Sequence, residues 1–75
     1  MKITIENTTK FTHLNGVKMR IWEGQTATGI KVHCFIARVA IHKDDEPRAE
    51  EFKKELQEEK APSVEIEAMP LRLII

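Results

Sequence analysis

The chain has 75 residues and a formal net charge of zero, with twelve basic side chains, twelve acidic ones, three histidines and a single cysteine. That length allows one domain with a thin core. No stretch approaches the roughly 20 apolar residues of a membrane span, no basic start leads into an apolar run as in a secretory signal, and a lone cysteine makes no internal disulfide. One domain over residues 1–75, at home in a reducing cytoplasm, is the expectation.

Met1 to Glu6 alternates apolar and polar side chains and predicts a short strand. Asn7-Thr8-Thr9 interrupts it like a turn, and Lys10 to Leu14 is extended again. Asn15-Gly16 is the strongest short hairpin signal, because a type I′ turn needs positive φ at both central residues. Val17 to Trp22 then alternates, with Val17, Met19 and Ile21 on one face and Lys18, Arg20 and Trp22 on the other.

A polar loop follows from Gly24 to Gly29, and then a β-rich run from Ile30 to Ile41. Its apolar phase slips near Ile36–Arg38, which fits either a bulge or a strand covered on both faces. The favoured reading is a central strand. Beyond His42 the composition turns to helix formers. Pro47 suits a first helical turn, with Asp45 or Glu46 in the cap region. Ala49, Phe52, Leu56 and Ala61 form a narrow apolar stripe before Pro62 stops the helix. Ser63 to Ala68 fits a short helical turn or a strand, and Pro70 to Ile75 is expected to end the chain as a strand packed in the sheet. The predicted fold class is α+β: a small antiparallel sheet of three to four strands in β-β-β-α-β order, with one helix packed on one face.

The segment Arg20 to Phe35, "RIWEGQTATGIKVHCF", holds the only tryptophan, the only cysteine and one histidine. His33 and Cys34 are strand neighbours, so they point to opposite faces and cannot share a metal or act as a nucleophile–base pair. No Cys-x-x-Cys or His-x₃-His spacing exists, and Gly24 and Gly29 lack the phosphate-loop pattern. No catalytic residue, metal ligand or cofactor is expected, and the chain is not expected to be an enzyme. Cys34 is expected to be buried on the Val32/Ile36 face, as a small hydrophobe.

A binding face is the better use of these residues. If Leu14 pairs with Val17, then Phe11 opposes Arg20 and His13 opposes Lys18. If Trp22 pairs with His33, one sheet face carries Leu14, Val17, Met19, Ile21, Val32, Cys34 and Ile36 as the core under Phe52 and Leu56. The other carries Phe11, His13, Lys18, Arg20, Trp22, Lys31, His33 and Phe35. Such a face is either an ordinary solvated sheet surface over which cations snorkel or a partner site. Arg, Trp and Phe are enriched at interface hot spots and also hold single-stranded nucleic acid. The candidate partner-binding residues are Phe11, Lys18, Arg20, Trp22, Lys31, His33 and Phe35.

Charge is also split along the chain. Residues 1–43 carry seven basic side chains against two acids, a net +5, and residues 44–75 carry five against ten, a net −5. The acidic helix is either a solvated face or a negative surface offered to a basic groove.

The segments "ITIENTTK", "NGV", "RIWEGQTATGIKVHCFIARVA" and "APSVEIEAMPLRLII" resemble small orphan proteins encoded in phages and prophages of proteobacteria, over most of the chain. The most specific part is Trp22-Glu23-Gly24 to Cys34-Phe35-Ile36 with the Leu71-Arg72-Leu73-Ile74 ending. The resemblance implies a bacterial cytoplasmic setting and no assigned catalytic residues. By analogy it implies a non-enzymatic inhibitor or modulator of a host protein complex, of the kind that blocks CRISPR effectors. The alternative is a nucleic-acid-binding accessory module. No membrane partner is expected, and a homodimer stays open.

Overall fold

The structure is a computed structural model that describes residues 1–62 and 71–74. Three strands, β1 (Ile3–Leu14), β2 (Val17–Thr26) and β3 (Lys31–Ile36), form an antiparallel sheet in the order β1-β2-β3. A 3₁₀ turn at Lys43–Arg48 leads into the helix α1 (Ala49–Gln57). The fold class is therefore α+β, with three strands and one α-helix among the described residues. The expected fourth strand is not among the described residues. Leu71–Leu73 forms a 3₁₀ turn instead, and Leu73 is 60% exposed rather than packed in the sheet; a proline just ahead of it in sequence favours a helical start. Residues 63–70, which fit helix or strand by sequence, and residue 75 lie outside the described residues. No helix among the described residues is long and apolar enough to cross a membrane.

The first hairpin follows the turn chemistry. Asn15 has φ of 52° and Gly16 of 78°, and the pairs Leu14–Val17, His13–Lys18 and Phe11–Arg20 are those the turn dictates. Gly16→Val should therefore destabilise the fold by on the order of 1–2 kcal/mol, the cost of a left-handed conformation in a residue with a branched Cβ. A chemical melt that matched the parent would show that the turn tolerates another conformation.

The polar break at Asn7-Thr8-Thr9 does not end the strand. It is a bulge: register shifts between Asn7 and Phe11, so that Thr8, Thr9 and Lys10 stand opposite Ile21 alone. Two extra residues preserve the side-chain alternation, and Asn7 and Phe11 point to the same face. Thr8 turns inward and is fully buried, with its hydroxyl donating to the Ile21 carbonyl at 2.6 Å and accepting from the Lys10 amide at 3.2 Å. The outer edge of the bulge is closed by the chain beyond the helix. Thr9 N donates to Lys60 O at 3.0 Å, and Lys60 N to Asn7 O at 3.2 Å, as a short parallel bridge.

Three expectations about the packing of the sheet and helix are corrected. The run from Ile30 to Ile41 is a strand only to Ile36, and among the described strands it lies at the edge of the sheet while β2 is central. The phase slip at Ile36–Arg38 marks the place where the chain leaves the sheet, not a second covered face. The β2–β3 register is also one residue away from the expected one. Trp22 pairs with Cys34, Arg20 with Ile36, Glu23 with His33 and Ile21 with Phe35. The cause is the connection. Thr26 N donates to Ile30 O and Gly29 N to Thr26 O, which encloses Ala27, Thr28 and Gly29 in a three-residue loop with Gly29 at φ of 92°. The Thr26 hydroxyl supports this loop by accepting from Ile30 N at 3.1 Å.

The third correction concerns the helix. It lies over the face that carries Asn7, Arg20 and Trp22, not over the Met19/Ile21 face. Asn7 Nδ2 donates to Leu56 O at 2.7 Å and Arg20 Nη1 to the same oxygen at 3.1 Å. The predicted stripe of Ala49, Phe52 and Leu56 is the half-buried side of α1, although Ala61 lies past the helix and is exposed. Val39 and Ile41, after β3, border hollows beside Phe52. Cys34 shares the face of Trp22 and is half-buried rather than buried.

The helix start differs in detail from the predicted cap. His42 Nδ1 accepts from the Asp44 amide at 3.1 Å, and Pro47 sits within the 3₁₀ turn. Arg48 then grips Glu51 with two hydrogen bonds of 2.8 and 2.9 Å. Those bonds, and then the Arg48 charge, hold the Glu51 carboxyl below the usual carboxylate range. The pair is fully exposed, so solvent screens it.

Ile21 is the one buried apolar side chain among the described residues, and Asn7, Thr8, Glu23 and Thr26 are buried as well. This sheet depends on satisfied polar groups as much as on apolar area, because an unsatisfied buried donor or acceptor costs about 1–3 kcal/mol.

Candidate functional site

A hollow with both apolar and charged walls lies between the sheet and α1. Its volume is about 490 Å³, within the ordinary range of ligand sites. The strands supply Phe11, Lys18, Arg20, Trp22 and Ile36, the following chain supplies Ala37, Arg38 and Val39, and the helix side supplies Lys53, Leu56, Gln57 and Glu59. The pairing explains the sheet side. Phe11–Arg20–Ile36 is one row across three strands on this face, with Lys18 and Trp22 two residues to either side of Arg20 on β2.

Two cations approach one ring. Lys18 Nζ lies 4.6 Å from the Phe11 centroid and Arg20 Cζ 4.7 Å from it. Both distances are within the range of a cation–π attraction worth about 0.5–1 kcal/mol at an exposed site, and Phe11 is 41% exposed. Arg20 has a second function. Its Nη1 also meets Glu59 Oε1 at 3.0 Å, in a pair whose side chains are about four-fifths shielded. Arg20 thus joins β2 to the helix end, and Trp22, half-buried, lines two neighbouring hollows together with Leu56. Lys53 pairs with Glu50 on the solvent side at 3.2 Å. Four cations and one carboxylate line the groove, so its field favours an anionic occupant.

Of the expected site residues, the fold gathers Phe11, Lys18, Arg20 and Trp22 here. It does not bring Lys31, His33 and Phe35 with them. The one-residue register offset puts those three on the opposite face, because alternation has a period of two. Phe35 lies opposite Ile21 there. Lys31 and His33 line a second hollow of about 370 Å³ with Glu6, Glu23 and Lys60. In it His33 Nε2 lies 3.2 Å from Glu23 Oε2, and Lys60 Nζ lies 3.5 Å from Glu23 Oε1. This cluster ties the chain beyond the helix to β2 and compensates the buried Glu23. Sequence reasoning missed Arg38, Lys53 and Glu59 as groove residues. The positive run through Arg38 was a usable signal, but the helix residues could not be placed without knowing which face α1 covers.

The three histidines sit apart: His13 on the groove face beside Lys18, His33 on the other face, and His42 at the 3₁₀ cap. Among the described residues, no three His, Cys, Asp or Glu side chains are placed to hold a metal ion.

The fold and groove define a small α+β domain with a basic, aromatic and aliphatic cleft between sheet and helix. Comparison with protein-family models, with curated proteins and with solved structures finds no match to this chain.

Proposed function

We propose that this chain is a small non-enzymatic binding protein that inhibits or modulates a host protein complex in the bacterial cytoplasm, docking through the groove between sheet and helix. The observation that supports it is the convergence of Phe11, Lys18, Arg20 and Trp22 with Arg38 in one cleft of about 490 Å³. Trp and Arg are enriched at interface hot spots, and Lys18, Arg20 and Arg38 give the cleft charge of one sign. The resemblance to phage and prophage orphan proteins supplies the setting, an anti-defence role comparable to that of CRISPR inhibitors. Lys31, His33 and Phe35 belong to this reading only as a second contact surface on the far side of the sheet.

The test is capture from a bacterial host lysate by tagged parent and by a Lys18→Glu/Arg38→Glu double variant. Both side chains are exposed, so the variant should fold. A defined multi-subunit complex should co-purify with the parent and be reduced at least about tenfold with the variant, which corresponds to about 1.4 kcal/mol. Equal capture by both proteins would remove the groove from the function.

The excess of cations lining the groove favours a second reading, a nucleic-acid-binding accessory module. It requires a gel shift with single-stranded DNA or RNA that weakens steeply with salt.

A further inference from the structure

We infer that the groove takes an acidic, aliphatic segment of a partner protein, a stretch of chain in which carboxylate side chains alternate with aliphatic ones. This rests on the groove being the docking surface. The groove already contains a small instance of that recognition. The Arg20 guanidinium is met by the Glu59 carboxylate at 3.0 Å and by the Leu56 peptide carbonyl at 3.1 Å. A carboxylate and a backbone carbonyl are the two acceptors that a peptide brings.

The remaining wall fits the same ligand. Ile36, Ala37, Val39 and Leu56 form an aliphatic part of the groove, which the aliphatic side chains of such a segment would cover. A phosphodiester has no such group. Lys18 and Arg38 are exposed at the groove, and neither has a carboxylate partner among the described residues. They are the cations left to meet a ligand's acids, at charge-assisted hydrogen bonds stronger than neutral ones.

Nucleic acid fits less well, for a specific reason. A base binds such a surface by stacking on an open ring. The Phe11 ring already has Lys18 and Arg20 within 4.6 and 4.7 Å of its centroid. Trp22 is half-buried and lines two hollows together with Leu56 of the helix, so it is not a freely exposed ring. Neither ring is offered as a clear platform.

Trp22 is the chain's one tryptophan and lines the groove, so its emission is a built-in reporter. The probes are a synthetic peptide alternating Glu with Leu, a matched peptide alternating Glu with Ser, and oligothymidylate of similar charge. The Glu/Leu peptide should shift Trp22 emission saturably. Its affinity should fall at least about tenfold in Arg38→Ala and in Lys18→Ala, and the Glu/Ser peptide should bind the parent at least about tenfold more weakly than Glu/Leu. Circular dichroism confirms that each variant is folded.

Oligothymidylate binding more tightly than the Glu/Leu peptide would overturn the inference in favour of nucleic acid. Equal binding of the two peptides would overturn it by showing that charge alone is read. A concentration-dependent emission shift of the protein alone, with self-assembly on sedimentation, would overturn it in favour of a second copy offering its acidic helix. If no peptide binds while host capture still depends on Lys18 and Arg38, the inference fails and the groove remains the docking surface. If capture ignores those two residues, the docking surface itself is wrong.

Discussion

Replacing Gly24 by alanine is expected to destabilise the fold by about 3 kcal/mol, the upper end of the usual cost of overpacking. Gly24 pairs with Ile5 on one side and Val32 on the other, as the third residue from the end of the central strand. A Cβ placed there would overlap the Thr4 carbonyl oxygen and lie 2.7 Å from both Ile5 Cα and Thr4 C. All three are backbone atoms, so no rotamer change relieves the collision; β1 must move away from β2. Nothing lies within 4 Å of a Cβ built at Gly16 or Gly29, so steric crowding distinguishes Gly24 from both. In a domain of this size, a loss of about 3 kcal/mol lowers the melting temperature by roughly 12–24 °C. An alanine variant that melted with the parent would mean that β1 does not approach Gly24 this closely.

Thr8→Val is expected to cost about 2 kcal/mol, although it keeps the shape of the side chain. The hydroxyl is wholly buried in the bulge and makes two hydrogen bonds, to Ile21 O and from Lys10 N. Valine removes both and leaves backbone groups without that partner, at about 1–3 kcal/mol for a buried polar group left unsatisfied. Thr8→Ser keeps the hydroxyl and loses one methyl, so its cost should be near 1 kcal/mol. Urea titration should show a lower midpoint for valine than for serine at a similar slope. If serine were the worse of the two, packing rather than hydrogen bonding would hold the bulge.

Much of the sheet was readable because local chemistry decides it. Asn15-Gly16 selects a turn whose two central residues have positive φ, and the β1–β2 pairs nearest the turn follow without further information. The stripe of Ala49, Phe52 and Leu56 likewise needs only the helical period. The β2–β3 register was not readable with the same ease. A two-residue and a three-residue loop both fit "TATGI", and they differ by one step that turns every side chain of β3 over. That step moved Lys31, His33 and Phe35 away from Trp22 and brought Cys34 and Ile36 to it. The break at Asn7-Thr8-Thr9 was visible as polar residues. That the strand resumes with its alternation intact depends on the bulge being stitched by Thr8 and Lys60, a contact between distant parts of the chain.

The face chosen by the helix was the least legible feature. Both faces carry apolar residues, so amphipathicity alone does not choose between them. The choice is made by Asn7 and Arg20, whose side chains donate to one carbonyl oxygen at Leu56. Periodicity cannot anticipate this, because it scores a polar residue as a surface residue.

The bridge between Lys60 and the bulge has a consequence for the order of assembly. The two hairpins close short stretches of chain and are favourable early contacts. The bridge, and with it the Leu56 carbonyl, joins β1 to residues some fifty positions later. Closing a longer loop costs more entropy, about 0.6 kcal/mol for each doubling of length. The sheet can therefore form before the helix is seated, and the cleft exists only after that last closure. An opening that released Lys60 and Leu56 would leave the three strands paired and abolish the cleft.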